Sequence, residues 1–313
     1  MNILRSLDEL HRLHDPVVMA IGVFDGLHLG HQQVIRLCRE MAEKLNAAPW
    51  VMTFEPHPLR VVMPSAAPRL LTTLDTKLAL IESTAVAGGA VIPFTPAFAD
   101  IEPEAFLDQL VQRIPHLRGI VIGENWRFGR QARGNVDLLK KLAAPRGIHV
   151  SVATPVTWKG APVSSSRIRE AIASGRLDDA ALMLGRPFSV RGPVIHGQKR
   201  GRRLGFPTAN LDLRGCALPP SGIYASIVRH DGASFPGAVY LPAQPEPQHG
   251  TLEVHLIDFE GDLYGKVLPV EFIGKIREDN RRFSNEADLV CQIRHDVETI
   301  RNEVARQRPA PPA

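Results

Sequence analysis

The segment Gly22-Val23-Phe24-Asp25-Gly26-Leu27-His28-Leu29-Gly30-His31 is the first with residue types and spacing suited to chemistry. Glycines at 22, 26 and 30 let backbone approach a phosphate closely, and His28 and His31 add imidazole donors three residues apart. If a helix starts there, its free N–H groups and partial positive charge attract an anion. The competing reading is a tight turn with two solvated histidines. A second donor-rich stretch, Ser164-Ser165-Ser166-Arg167-Ile168-Arg169, sets three hydroxyls ahead of two guanidiniums. That is a cradle for phosphate, although taken alone it is also an ordinary helix cap followed by surface arginines. The third stretch, His196 to Asn210, is punctuated by Gly197, Gly201 and Gly205 and rich in Lys and Arg, yet it lacks GxxxxGK[ST] and so is not a Walker A loop. It ends on Pro207-Thr208-Ala209-Asn210.

These residues need elements to hold them. From about Pro16 to Thr154, continuous β-branched runs (17–23, 50–54, 119–123 and 148–152) alternate with helical periods (32–45, 76–86, 103–114 and 136–142). Such alternation predicts a doubly wound α/β domain with a parallel sheet. The first glycine-rich turn follows the first strand, where ligands of open α/β sheets bind. After helical stretches at 167–174 and 178–184 the pattern changes near Leu184-Gly185-Arg186-Pro187. Beyond that point shorter runs, period-2 alternation and Gly/Pro turns predict an antiparallel barrel or sandwich. The clearest strand, 251–257, puts Leu252, Val254 and Leu256 on one face and Glu253 and His255 on the other. A last helical period, 285–304, precedes a Pro/Ala tail expected to fray.

A length of 313 residues fits two domains at roughly 100–200 residues each. The 44% apolar and 22% charged content excludes a disordered, collagenous or coiled-coil chain. No apolar run reaches the roughly 20 residues of a membrane span, and acids occupy the N-terminus where a signal peptide would be apolar. A cytoplasmic protein is expected. Cys38, Cys216 and Cys291 are widely spaced with no CxxC, so neither a disulfide framework nor a zinc site is encoded, and all three are expected to be buried. The net charge of +4 decides nothing by itself.

HxGH after a strand resembles the signature of the nucleotidylyltransferases, and SSSRIR resembles their SSTxIR phosphate segment. Together with Thr53-Phe54-Glu55-Pro56-His57-Pro58, Arg69-Leu70-Leu71-Thr72 and Gly123-Glu124-Asn125-Trp126-Arg127-Phe128-Gly129, these motifs resemble the N-terminal module of the prokaryotic bifunctional riboflavin kinase/FAD synthetases. GxxxGRxLGxPTAN, in 197–210, resembles the riboflavin kinase signature, and further matches at 221–225, 258–265 and 270–273 extend the likeness over nearly the whole chain. The resemblance implies an α/β nucleotidylyltransferase domain over 1–184, in which FMN is adenylylated, and an antiparallel β-barrel riboflavin kinase domain over 185–313, closed by a C-terminal helix. It implies ATP and phosphate contacts at Gly22, Phe24, Asp25, Gly30, Ser164, Ser165, Ser166, Gly197, Gly201, Arg202, Gly205, Thr208 and Asn210. It implies flavin contacts at Phe54, Pro56, Asn125 and Phe128, Mg²⁺ on Thr208 and Asn210, and catalytic roles for His28, His31, Arg169 and Glu253, the last as the base. Partners are then small molecules (ATP, riboflavin, FMN and FAD), with neither nucleic acid nor a membrane among them.

Three departures stand out. Ser166 replaces the Thr of SSTxIR, and Glu124-Asn125 stands where many members carry Asp. Between Gly237 and Leu252 the family usually has GxANIGxRPTF, whereas this chain reads Gly-Ala-Val-Tyr-Leu-Pro-Ala-Gln-Pro-Glu-Pro from 237 to 247. That stretch motivates an alternative, an FAD synthetase whose kinase half is impaired by the altered 239–247 segment. A second alternative is a basic nucleic-acid-binding protein using 196–203, although this run lacks interleaved aromatics for base stacking.

Overall fold

The structure is a computed structural model describing residues 1–197, 200–243, 251–279 and 283–307. It divides into two compact units, one formed by Met1–Pro68 with Leu74–Ser165, the other by Arg69–Thr73 with Ser166–Ala313.

In the first unit, strands β1 (Asn2–Leu4), β2 (Val17–Ile21), β3 (Ala48–Glu55), β4 (Gly88–Pro93), β5 (Leu117–Gly123) and β6 (His149–Ala153) form one sheet in the order β1-β4-β3-β2-β5-β6. Every pairing in it is parallel. Helices α1 (Leu29–Lys44), α2 (Pro58–Val62), α3 (Leu74–Glu82), α4 (Pro96–Ala99), α5 (Pro103–Arg113) and α6 (Val136–Ala143) lie in the connections. The fully buried β2 shows why its sequence is continuously apolar. Val17, Met19 and Ile21 enter one core with α5 and α6, while Val18 and Ala20 enter the other with α1. Both faces of the sheet are covered, as a parallel sheet requires. A small hairpin, β7 (Thr157–Trp158) with β8 (Ala161–Pro162), follows.

After it come α7 (Ser165–Ala173) and α8 (Leu177–Leu184). In the second unit, β9 (Ser189–Ile195), the short α9 (Arg200–Arg203), β10 (Ala209–Asp212), β11 (Gly222–His230), β12 (Ala233–Leu241), β13 (Thr251–Leu256) and β14 (Val267–Arg277) lead to α10 (Glu286–Gln307). The six strands close a barrel in the order β10-β13-β12-β11-β14-β9, antiparallel throughout. Closure removes the exposed strand edges that an open sheet would have to protect. α10 packs Val297, Ile300 and Val304 against the outer faces of β11, β12 and β14.

The fold is the expected one, with a barrel rather than a sandwich. β1 and β4 are additional to the strands expected. Cys38 and Cys216 are buried, but Cys291 is exposed, because it falls on the solvent side of α10. The 308–313 tail lies outside the described residues.

Candidate functional sites

The first site is built where β2 ends and α1 begins. His28 is the N-cap of α1, and its Nδ1 accepts a hydrogen bond from the His31 backbone N–H at 3.3 Å. The two imidazoles stack with centroids 3.6 Å apart, and Phe24 meets His31 edge-on at 5.3 Å. His28 is 6% exposed and Asp25 2%, while His31 is half-buried between His28 and Phe24, so the turn is packed rather than carrying two freely solvated histidines. Ser165 Oγ donates to the Asp25 carbonyl at 2.9 Å, which joins the serine segment to this turn. Val163, two residues earlier, brings its carbonyl against Gly30.

Lys77 is the residue that sequence reasoning missed here. It lies on α3 with only 4% exposure and donates from Nζ to Thr53 Oγ1 at 3.4 Å; Thr53 in turn donates to the Val23 carbonyl at 2.9 Å. Burial lowers the pKa of this ammonium, and the carboxylates of Glu55 and Asp25 oppose the shift. A buried cation therefore sits behind the glycine-rich turn. Its signal was present in the sequence, since Leu74, Lys77, Leu78 and Ile81 share one helical period.

The flavin candidates are distributed differently. Phe54, next to last in β3, touches Phe94 and Phe98, and Phe98 leads through Phe106 to Phe128, which stacks on Trp126 at 4.6 Å. Phe54 and Phe128 are buried in this aromatic run, whereas Pro56, after a cis Glu55–Pro56 bond, and Asn125 are exposed.

Ser166, Arg167 and Arg169 belong to the second unit. Ser166 is exposed, and Arg169 Nε donates to the Arg69 carbonyl at 2.6 Å. Leu70 adds backbone bonds, its N–H to Gly215 and its carbonyl from Ala217.

The second site lies on the barrel. Thr208, just before β10, donates from Oγ1 to Glu253 Oε2 at 3.2 Å, and Asn210 is the direct cross-strand partner of Glu253. Leu252, Val254 and Leu256 are buried while Glu253 and His255 are half-buried, the alternation expected from sequence. Glycines permit this packing. A side chain at Gly197 would meet Asn210 Nδ2 at 2.4 Å, and one at Gly201 would meet the Phe206 carbonyl at 2.4 Å and Thr208 Oγ1 at 3.1 Å. Arg202 and Thr208 line a cleft of about 590 Å³, walled opposite by the loop Phe259–Tyr264. Gly205 adopts φ +87°, a conformation that glycine takes without strain. Gln198 and Lys199 of the basic run, and 244–247 of the altered segment, lie outside the described residues. The described part of that segment completes β12 and pairs Val239 with Val254 and Tyr240 with Glu253.

A family model for FAD synthetase matches residues 10–167, and one for riboflavin kinase matches residues 184–304. Bifunctional riboflavin kinase/FMN adenylyltransferases are similar over almost their full length: 36% identity in Pseudomonas fluorescens, covering 96% of this chain and 97% of that one. The chain belongs to this family. The Haemophilus influenzae member is 36% identical over 96% of this chain and 98% of its own, and the Escherichia coli K12 member is 33% identical over 99% and 100%. A crystal structure named "Macrolide-efflux Protein", from Streptococcus pneumoniae, shares 27% identity at a TM-score of 0.83, covering 96% of this chain and 99% of that one. Among the described residues no helix is long and apolar enough to cross a membrane. Both halves of the bifunctional family are thus present, and neither alternative reading is favoured.

Proposed function

We propose that residues 1–184 adenylylate FMN and residues 185–313 phosphorylate riboflavin, in a cytoplasmic setting, with the residues assigned above. Riboflavin binds the barrel with its terminal ribityl hydroxyl toward Glu253. Glu253 takes the hydroxyl proton as the oxygen bonds to the γ-phosphorus of ATP and the bond to ADP breaks. The cleft beside Thr208 receives the nucleotide, with Gly197, Gly201, Arg202 and Gly205 around its phosphates. The hydroxyl of Thr208 and the amide oxygen of Asn210 fit Mg²⁺, an ion that takes few protein ligands beside waters and phosphates. When bound it neutralises charge on the transferring phosphoryl group. The observation that carries the reading is the Thr208–Glu253 hydrogen bond, which ties the carboxylate to a hydroxyl that itself lines the cleft.

The other reaction joins the FMN phosphate to the α-phosphorus of a second ATP and releases pyrophosphate. Its nucleophile is already ionised, so alignment and charge stabilisation suffice. Gly22, Phe24, Asp25 and Gly30, with Ser164, Ser165 and Ser166, hold the nucleotide. His28, His31 and Arg169 stabilise the charge that builds up. Phe54, Pro56, Asn125 and Phe128 hold the flavin. A buried His28 stacked on a half-buried His31 supports this assignment, since preorganised donors cost no reorganisation when charge develops.

Incubation with riboflavin and Mg²⁺-ATP, and separately with FMN and Mg²⁺-ATP, tests both halves. FMN and then FAD are expected from riboflavin, and FAD from FMN. FAD from FMN alone would leave only the adenylyltransferase half standing.

A further inference from the structure

One cross-strand row on the barrel goes beyond these assignments. Tyr240 on β12 is paired with Glu253 on β13, Glu253 with Asn210 on β10, and Asn210 with Ile195 on β9. Residues directly opposite in an antiparallel ladder share a face, with Cβ atoms about 4.5–5.5 Å apart. The burial alternation of β13 turns that face away from the barrel core. Glu253 is therefore flanked by Asn210 on one side and Tyr240 on the other, with Thr208 donating to one of its oxygens.

Tyr240 is not loose. It is half-buried, and its hydroxyl donates to Asp279 Oδ2 at 3.0 Å. Asp279 follows the end of β14, where Arg277 makes a forked ion pair with Asp296 of α10. Burial first, and then the bond to Asp279, push the pKa of the phenol up to about 12. Tyr240 also falls in the stretch where the chain departs from the family pattern. Counted from Gly237, it stands where that pattern has Asn.

We propose that Tyr240, clamped by Asp279, is a positioning residue for Glu253 in riboflavin phosphorylation. The ring fences the carboxylate on the β12 side, and Thr208 engages one oxygen. The other oxygen is then left facing the acceptor hydroxyl. The proposal rests on Glu253 being the proton acceptor.

The test uses the full chain and two variants that break the same bond from opposite ends, Tyr240→Phe and Asp279→Asn. Each should lower kcat for riboflavin phosphorylation by about tenfold, since small misplacements of a reacting group cost rate rather than binding. The KM values for riboflavin and ATP should stay within twofold of wild type, FMN adenylylation should be unchanged, and the double variant should be no slower than the slower single variant. In a Glu253→Gln background, with residual phosphorylation followed using γ-labelled ATP, Tyr240→Phe should have no further effect. An unchanged kcat, a raised KM with kcat intact, or a second tenfold loss in the Glu253→Gln background would each overturn the proposal. Wild-type phosphorylation by Glu253→Gln alone would instead remove the underlying assignment of the base, whatever Tyr240 does.

Discussion

Thr208 Oγ1 lies 3.2 Å from Glu253 Oε2, and Thr208 also lines the adjacent cleft of about 590 Å³. One side chain thus joins the place suited to a nucleotide to the carboxylate suited to a proton. Thr208→Val keeps the shape and deletes the hydroxyl. The rate of riboflavin phosphorylation should fall about tenfold or more, while FAD formation from supplied FMN stays at the wild-type rate. Steady-state assays of the two half-reactions check this.

An ion pair ties the end of β14 to α10. Arg277 and Asp296 are 17% and 6% exposed in their side chains, and Gln292 Nε2 also donates to Asp296, at 2.7 Å. Asp296→Asn leaves a guanidinium without its counter-charge, which costs about 3–5 kcal/mol when a buried pair is broken from one side. The urea midpoint of the barrel's transition should drop accordingly, whereas Arg306→Ala, which removes an exposed pair on the same helix, should leave it almost unmoved.

Two of the chain's three tyrosines, Tyr224 and Tyr240, have pKa values pushed up to about 12. Burial is the first cause in both; nearby Glu278 adds for Tyr224, and the bond to Asp279 adds for Tyr240. The folded state favours their neutral form, so their contribution to stability is complete below the ordinary value near 10. It is lost as pH rises from there through about 12. An absorbance titration of phenolate should show two late tyrosines in native protein that move to the ordinary value in denaturant.

Much of this was legible in the sequence because local pattern and tertiary role coincide. The alternation at Leu252-Glu253-Val254 already turned Glu253 away from the core, and the barrel keeps it so. β4 was illegible because Gly88-Gly89-Ala90 has the composition of a loop. Packing explains it: a side chain on Gly88 would lie 2.3 Å from the Trp50 ring, so only glycine lets β4 lie beside β3 there. The Tyr240, Glu253, Asn210 row was illegible for another reason, since β10 and β13, remote in sequence, are brought into register only by closure of the barrel. Lys77 was readable, as a cation on an apolar helical period.

The central claim is that two separate sites run two reactions in succession. Its most direct measurement is product analysis for His31→Ala and Glu253→Gln, each incubated with Mg²⁺-ATP and either riboflavin or FMN. The account predicts that His31→Ala still makes FMN from riboflavin but loses about 100-fold or more in FAD formation. Glu253→Gln should do the reverse, failing with riboflavin and converting FMN to FAD at the wild-type rate. Equal loss of both products from either single substitution would contradict it.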